Sequence, residues 1–377
     1  MIKRVKSSNE DKLHSRDVKI LEGLALYNPR NISKLAAKLN MPNASLRRRI
    51  NYLRSHFSLL LLGSIYHTNI GLRKVVVFAE SKPGYEEILY ECLKANDYWL
   101  YVSQCIGVPK CLAIYGIPRG KEKKFKEFLS RFEELNLACN VKSFWSTCFQ
   151  NINVTSIWFD NSSEEWIFPW DSWLKEVLTN EGKLPYTLID PDDYPQKADW
   201  IDIMILKELE KDCTIKFKEL AKMLGISLQG VKYHFENHVI KEKMFEGPQI
   251  VAEHYKASSP DTYYFRFVFK NHKNLAKFAC SLTDKPFARV MGKVYGDNQL
   301  FVQVYLPRQQ LRNFTETLSK LVRTGFLDTY EYVTLDLTKT KRETIPYQFF
   351  KDNHWLYDHE MFLTKLQSTV KHFLETA

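Results

Sequence analysis

Three consecutive arginines, Arg47, Arg48 and Arg49, share a short segment with Asn43, Ser45, Asn51, Tyr52 and Arg54, and no acidic residue interrupts it. A guanidinium presents its donors in a planar fork that matches guanine edges and phosphate oxygens, so the chemistry open to this cluster is recognition of duplex DNA. Lys34 and Lys38 lie just before it, where backbone phosphates would pass. Residues 1–54 hold 13 Lys/Arg against 4 Asp/Glu, a net +9 that nearly accounts for the formal +10 of all 377 residues. By contrast, 156–198 holds 3 basic and 9 acidic residues, and 199–245 has eight of each. Cations concentrated in this way attract a polyanion by releasing its condensed counterions. The basic start, Met1-Ile2-Lys3-Arg4-Val5-Lys6, adds an arm to the same field.

Helices must hold this cluster in place. Val18, Leu21, Leu24 and Ala25 form one apolar stripe over 17–27, closed by Asn28-Pro29. Leu35, Ala36 and Leu39 form a second over about 33–39, with Ser33 as the expected N-cap, and Leu46, Ile50 and Leu53 a third over about 44–56. The Asn40-Met41-Pro42-Asn43 turn between the last two predicts a helix-turn-helix, with the arginines on its recognition helix. An apolar return over 59–66, through Gly63-Ser64, predicts a β-hairpin wing.

The plan is then written again. Lys34-Leu35-Ala36-Ala37-Lys38-Leu39-Asn40 is matched 185 residues later by Glu219-Leu220-Ala221-Lys222-Met223-Leu224-Gly225. Phe125-Lys126-Glu127-Phe128-Leu129-Ser130 is matched 189 residues later by Phe314-Thr315-Glu316-Thr317-Leu318-Ser319. A near-constant offset across unrelated motifs predicts a tandem two-part module, a pseudo-dimer in one chain. In the second head Gly225 suits a left-handed helix end and Ser227 suits an N-cap. Its recognition face offers Gln229, Lys232, Tyr233 and His234, with Glu236 nearby, and is much less cationic.

After each head, strand and helix patterns alternate in the order βαββαβ: 73–79, 85–93, 98–105, 111–117, 122–135 and 140–149, then again from 263 to 337. That order predicts a ferredoxin-like unit twice, with the two sheets packed face to face. Gly107 matches Gly296 at the middle hairpin, and Pro118-Arg119 matches Pro307-Arg308 at the expected start of the second helix. The fold class is α+β, divided as 1–70 and 199–258 for the winged heads, 71–155 and 259–340 for the ferredoxin-like (RAM-like) units. The remainder is a connector at 156–198 and a closing segment at 341–377. Four tryptophans in the connector (Trp158, Trp166, Trp170 and Trp173) predict a docked strap with a helix over 170–178 capped by Asp171 or Ser172, and 184–195 reads as flexible. The stretch 347–373 reads as a closing helix without a counterpart in the first copy.

The ordered pair of units, with 32–40 and the arginine-rich helix 46–53 as its carriers, resembles the Lrp/AsnC family of leucine-responsive transcription regulators. The resemblance implies dimerisation through the ferredoxin-like units and a small-molecule effector between them, near Gly107, Lys110, Gly296 and Gln299. Three positions depart from the family: Lys110 and Gln299 stand where an aspartate is usual, and Pro42 replaces a serine cap, which passes that role to Asn43. The chain also resembles siroheme decarboxylases, enzymes built from the same pair of units. Other classes are disfavoured: seven cysteines without a C-x-x-C pair argue against a disulfide framework or zinc site. No apolar run approaches the length of a membrane span, and no secretion signal opens the chain, so a cytoplasmic protein with no membrane partner is expected. No cofactor is expected, and further homo-oligomerisation is left open.

Overall fold

The computed structural model describes residues 12–376; the basic arm at 1–6 lies outside them. The first head has three helices, α1 (Ser15–Leu26), α2 (Ile32–Lys38) and α3 (Asn43–His56), then strand β1 (Leu60–Ile65). Val18, Leu21, Leu24, Leu35, Leu46, Ile50 and Leu53 are all buried between them, as the apolar spacing requires. Two caps differ from expectation. Asn31, not Ser33, caps α2, its side chain accepting from the Lys34 amide, and Asn43 is the first residue of α3, whose N-cap is Pro42.

The second half repeats this order with α7 (Trp200–Lys211), α8 (Phe217–Leu224), α9 (Leu228–Tyr233) and β8 (Phe245–Val251). Gly225 ends α8 at φ 66°, and the Ser227 side chain accepts from the Gly230 amide at the start of α9. After Tyr233 the recognition helix widens into a π turn over His234–Ile240 instead of running on as α-helix.

No wing hairpin forms in either head. β1 and β8 pair with each other, antiparallel, from Leu60 opposite Val251 to Ile65 opposite Phe245, so one wing sheet is shared. Gly63 explains why the chain does not turn at that point: a Cβ there would lie 2.6 Å from the Leu209 carbonyl oxygen. The glycine is used for close approach of α7 to the strand, not for a turn.

The element order βαββαβ occurs twice. The first comprises β2 (Leu72–Ser81), α4 (Glu86–Leu93), β3 (Trp99–Ile106), β4 (Cys111–Pro118), α5 (Glu122–Glu134) and β5 (Ala138–Asn151). A hairpin of β6 (Phe159–Asp160) and β7 (Glu165–Trp166) then leads to α6 (Trp170–Thr179). The second unit comprises β9 (Pro260–Phe269), α10 (His272–Ser281), β10 (Ala288–Val294), β11 (Gln299–Pro307), α11 (Arg308–Arg323) and β12 (Leu327–Arg342). It is followed by β13 (Phe350–Lys351), β14 (His354–Trp355) and α12 (His359–Thr376). Pro307 precedes α11 directly, whereas Pro118 ends β4 and α5 starts only at Glu122.

The sheets join edge to edge instead of packing face to face. β5 pairs with β10 and β12 pairs with β3, which closes one eight-stranded barrel, β10-β11-β9-β12-β3-β4-β2-β5. Closure removes every open edge of both sheets. Inside, Phe78, Phe144, Tyr264 and Phe301 pack with centroids 5.5–6.2 Å apart. At one seam Gly292 lies opposite Phe149, whose ring would stand 2.4 Å from any Cβ there.

The tail segments correct several expectations, and the closing helix, expected over 347–373, begins only at His359, after a short turn and hairpin. α12 does have a counterpart, because both units end in a short 3-10 turn, a two-residue hairpin and a helix. Each helix crosses over: α6 lies on α10 and α11, and α12 lies on α4 and α5. Trp173 of α6 is buried among Phe278, Phe287 and Phe314, with its Nε1 donating to Ser281 Oγ at 3.1 Å. α6 is preceded by Pro169, and neither Asp171 nor Ser172 caps it. The expected flexible stretch is docked as well: Leu188 is buried, and Asp190 accepts two hydrogen bonds from the buried Lys293 Nζ at 2.7 and 2.8 Å.

Candidate nucleic-acid interface and ligand cavity

On α3 the side chains sort by their direction. Leu46, Ile50 and Leu53 point inward, while Asn43, Arg47, Arg48, Asn51 and Arg54 are exposed and Ser45 is half-buried. Lys34 and Lys38 are exposed on α2, Lys38 near the Tyr27 ring at 5.9 Å. Arg49 separates from this set. Its guanidinium donates through Nε and Nη2 to the carboxylate of Asp17, which is fully buried, and lies 4.2 Å from the Tyr52 ring. Tyr52 in turn stacks on His56 at 4.2 Å. Arg49 therefore ties the recognition helix to α1 with Tyr52 packed against its guanidinium, and Arg47, Arg48 and Arg54 make up its outward cationic face.

The second head uses the same device with different groups. At the offset of 185 Asp17 corresponds to Asp202 and Arg49 to His234. Asp202, again fully buried, accepts from His234 Nδ1 at 2.9 Å and from His238 Nδ1 at 3.1 Å. Burial holds the Asp202 carboxyl above its ordinary range. Gln229, Lys232 and Tyr233 are exposed on α9, and Tyr233 keeps 57% of its surface. The heads touch: Arg30 of the first donates through Nε to the Cys213 carbonyl at 3.1 Å and lies 4.7 and 4.3 Å from the Phe217 and Phe235 rings.

A cavity of about 400 Å³ lies beneath the shared wing and over one end of the barrel. That is the size range of small-molecule sites. Its walls combine aliphatic side chains, Leu62, Ile65, Ile114 and Val290 among them, with polar ones, and three cations line it. Lys74 Nζ stands 4.4 Å over the Phe149 ring, and Arg289 lies 3.6 Å from the Tyr305 ring with Nη2 donating to the Ala252 carbonyl at 2.8 Å. Arg342 donates to Gln249 Oε1 at 3.3 Å. Their bonds go to rings, a carbonyl and an amide, and burial lowers the Arg289 pKa from its ordinary value. Two buried carboxyls complete the site. Glu210 lines the cavity, accepts from the Ile345 amide at 2.7 Å and is pushed up to about 7 by burial. Glu246, behind Ser64, is also pushed up to about 7 by burial.

His67 also faces the cavity. Its Nδ1 bonds the Ile65 carbonyl at 2.9 Å and burial holds the ring well below its ordinary pKa, so the ring is neutral and donates from Nδ1. Its Nε2 is buried without a hydrogen-bond partner. None of the hairpin residues Gly107, Lys110, Gly296 and Gln299 lines this cavity, and Gln299 instead accepts from Arg266 at 2.6 Å. The cavity escaped the sequence reading because its charges, Lys74, Glu210, Glu246, Arg289 and Arg342, come from five separate stretches of chain and are not repeated. At the offset of 189, Lys74 and Arg289 correspond to Tyr263 and Leu100.

No helix among the described residues is long and apolar enough to cross a membrane. All seven cysteines are free, and burial pushes the Cys111 thiol up to about 12, which suits an inert core thiol. Against known proteins, no curated sequence matches the chain. The crystal structure of the siroheme decarboxylase NirDL aligns with 95% of this chain and 99% of its own at 10% identity, with a TM-score of 0.51. The same enzyme in co-complex with an iron-uroporphyrin III analogue aligns with 94% of this chain and 99% of its own at 11% identity, TM-score 0.54. E. coli AsnC aligns with 36% of this chain and 91% of its own at 17% identity, TM-score 0.27. Residues 199–237 match the winged helix-turn-helix DNA-binding family. The chain is thus a mixed α+β protein that carries a winged helix-turn-helix and shares its overall fold with a siroheme decarboxylase.

Proposed function

We propose that this chain regulates transcription by binding duplex DNA through its first head, and that an organic anion in the wing cavity tunes the binding. The observation that carries the reading is the outward face of α3, where Arg47, Arg48 and Arg54 stand exposed beside Lys34 and Lys38 with no acidic residue on either helix. Arg48, with Asn51 and Ser45, reads base edges; Arg47, Arg54, Lys34 and Lys38 hold phosphates. In this reading the chain is a fused pseudo-dimer of an Lrp/AsnC-like module, with heads at 1–70 and 199–258 and ferredoxin-like units at 71–155 and 259–340. Gln229, Lys232 and Tyr233 present a much less cationic face, so in this reading the first head carries the affinity. The wing is the coupling element, since one sheet contributes a strand to each head and roofs the cavity. Selection and fluorescence anisotropy on genomic fragments tests the reading: a specific duplex is expected, and binding unchanged by Arg48→Ala would reject the assignment of α3.

A second reading is a siroheme decarboxylase-like enzyme, favoured by alignment over nearly the whole of both chains. Here Lys74, Arg289 and Arg342 would engage the carboxylates of a tetrapyrrole substrate, and the neutral His67 Nε2 and the Tyr101 hydroxyl are buried without hydrogen-bond partners on residues that line the cavity. Mixing the protein with siroheme separates the readings. A shifted absorption band together with carbon dioxide release supports the enzyme, and neither is expected of the regulator.

A further inference from the structure

Asp199, Asp202, His234 and His238 converge where the start of α7 meets the π turn of the second recognition helix, their ligand atoms all within 4.8 Å of one another. His234 Nδ1 stands 2.9 Å from Asp202 Oδ1 and 3.6 Å from Asp199 Oδ2; His238 Nδ1 stands 3.1 Å from Asp202 Oδ2 and 3.9 Å from Asp199 Oδ2. A tetrahedral zinc ion with ligands at about 2.0–2.1 Å sets its ligand atoms about 3.3 Å apart, in the middle of that spread. Asp199 Oδ2 is beyond hydrogen-bond reach of both imidazoles, so hydrogen bonding between the four side chains does not account for its position. Asp199 Oδ1 is already used, accepting the Asp202 amide at 2.9 Å to cap α7.

Charge balance adds an independent reason. In the first head the buried Asp17 is neutralised by the permanent cation of Arg49. In the second, a buried carboxylate and a half-exposed one face two imidazoles, which carry charge only when protonated. At the offset of 185 the positions equivalent to Asp199, His234 and His238 are His14, Arg49 and Leu53, so the quartet belongs to the second head alone.

We propose that these four residues bind one divalent first-row transition ion, with zinc as the fitting case, and that the ion takes the place Arg49 holds in the first head. It fastens the π turn to α7 and thereby sets the pose of Gln229, Lys232 and Tyr233. Two Nδ1 atoms and two carboxylates suit zinc better than magnesium or calcium, which prefer all-oxygen shells.

The test uses the full-length chain, stripped with EDTA and reloaded with zinc chloride or cobalt chloride, then passed through gel filtration. Expected are one equivalent of metal retained, visible d–d bands of four-coordinate cobalt, and a raised thermal midpoint. His234→Ala/His238→Ala should lose all three. Asp199→Asn keeps a good helix cap and so keeps the fold, and it should weaken retention at least tenfold. Full retention by the double variant, or none by the wild-type chain, would overturn the site.

Discussion

At the scale of single residues, Arg48 and Arg49 are neighbours with separable duties. Arg49→Ala leaves Asp17 buried and unpaired, and should cost about 3 kcal/mol, near the low end for breaking a buried ion pair because Arg49 keeps 28% exposure. Arg48→Ala removes an exposed group and should leave the thermal midpoint within a degree or so while weakening DNA binding by about 1–3 kcal/mol. Denaturant titration beside anisotropy checks both, and a stability loss at Arg48 would contradict the division. The arginine triplet was legible in sequence; which of the three turns inward was not, because the answer depends on Asp17, 32 residues away. Glu210 and Glu246 give a pH test. Both carboxyls are pushed up from 4.5 to about 7, so between those values the folded state binds more protons than the unfolded state. Their contribution is therefore fully present below pH about 4.5 and is lost as pH rises through about 7, at roughly 1.4 kcal/mol per pH unit for each group. Glu210→Gln/Glu246→Gln should be more stable than wild type at pH 8 and no more stable at pH 4.5, when compared by urea unfolding. An advantage that did not grow with pH would refute the burial of these groups.

Among the elements, helices and strands were legible because period-3.6 and period-2 stripes are local, while the wing was misread because pairing is not. Residues 59–66 offer a Gly-Ser pair with the composition of a hairpin turn, yet the strand continues through it, with only a register shift between Ser64 and Ile65, and finds its partner at Phe245–Val251. The same limit hid the metal-binding candidate: Asp199-x-x-Asp202 and His234-x-x-x-His238 are each unremarkable, and only the packing of α7 on the π turn joins them. The His-x-x-x-His spacing was the available signal, since residues four apart share a helix face. Gly63 tests the shared wing. A methyl group there would stand 2.6 Å from the Leu209 carbonyl oxygen, which is backbone and cannot yield by a rotamer change, and 2.9 Å from the Phe245 ring. Gly63→Ala should push β1 from α7, lower stability by about 1–3 kcal/mol and open the cavity roof. Gly84→Ala is a poor control because φ there is +83°, whereas Gly230, helical and with nothing nearer than Ser227 Oγ at 3.3 Å, is a fair one. Equal tolerance of Gly63→Ala and Gly230→Ala would mean that the close approach is unimportant.

For the whole molecule, the order of elements recurs in the two halves, and the sequence repeat says nothing of how they interlock. Reciprocal exchange occurs at three levels: strands across the barrel seams, one wing strand from each head, and the tail helices α6 and α12 crossing over. None of these can be inferred from periodicity, because each is a choice of partner. The interlocked frame is near-symmetric, whereas its working groups are not. The cavity cations lack equivalents, and the arginine face of α3 is answered on α9 by Gln229, Lys232 and Tyr233. A symmetric pair of heads would favour a palindrome. This pair favours a single strong half-site, and salt dependence distinguishes the two, because each neutralised phosphate contributes about −0.9 to the slope of log K against log salt. If only the first head engages, the phosphate-holding Lys34, Lys38, Arg47 and Arg54 contribute about −3.6 and the basic arm of Lys3, Arg4 and Lys6 at most about −2.7 more, so a slope steeper than about −6.3 requires added cations such as Lys232 of the second. The expected result is the shallower slope, reduced by about 1 in Arg54→Ala and unaffected by Lys232→Ala, with nuclease protection over one half-site. A steep slope that falls with Lys232→Ala would instead show both heads on DNA, and the asymmetry of the two recognition faces would then concern which bases each head reads.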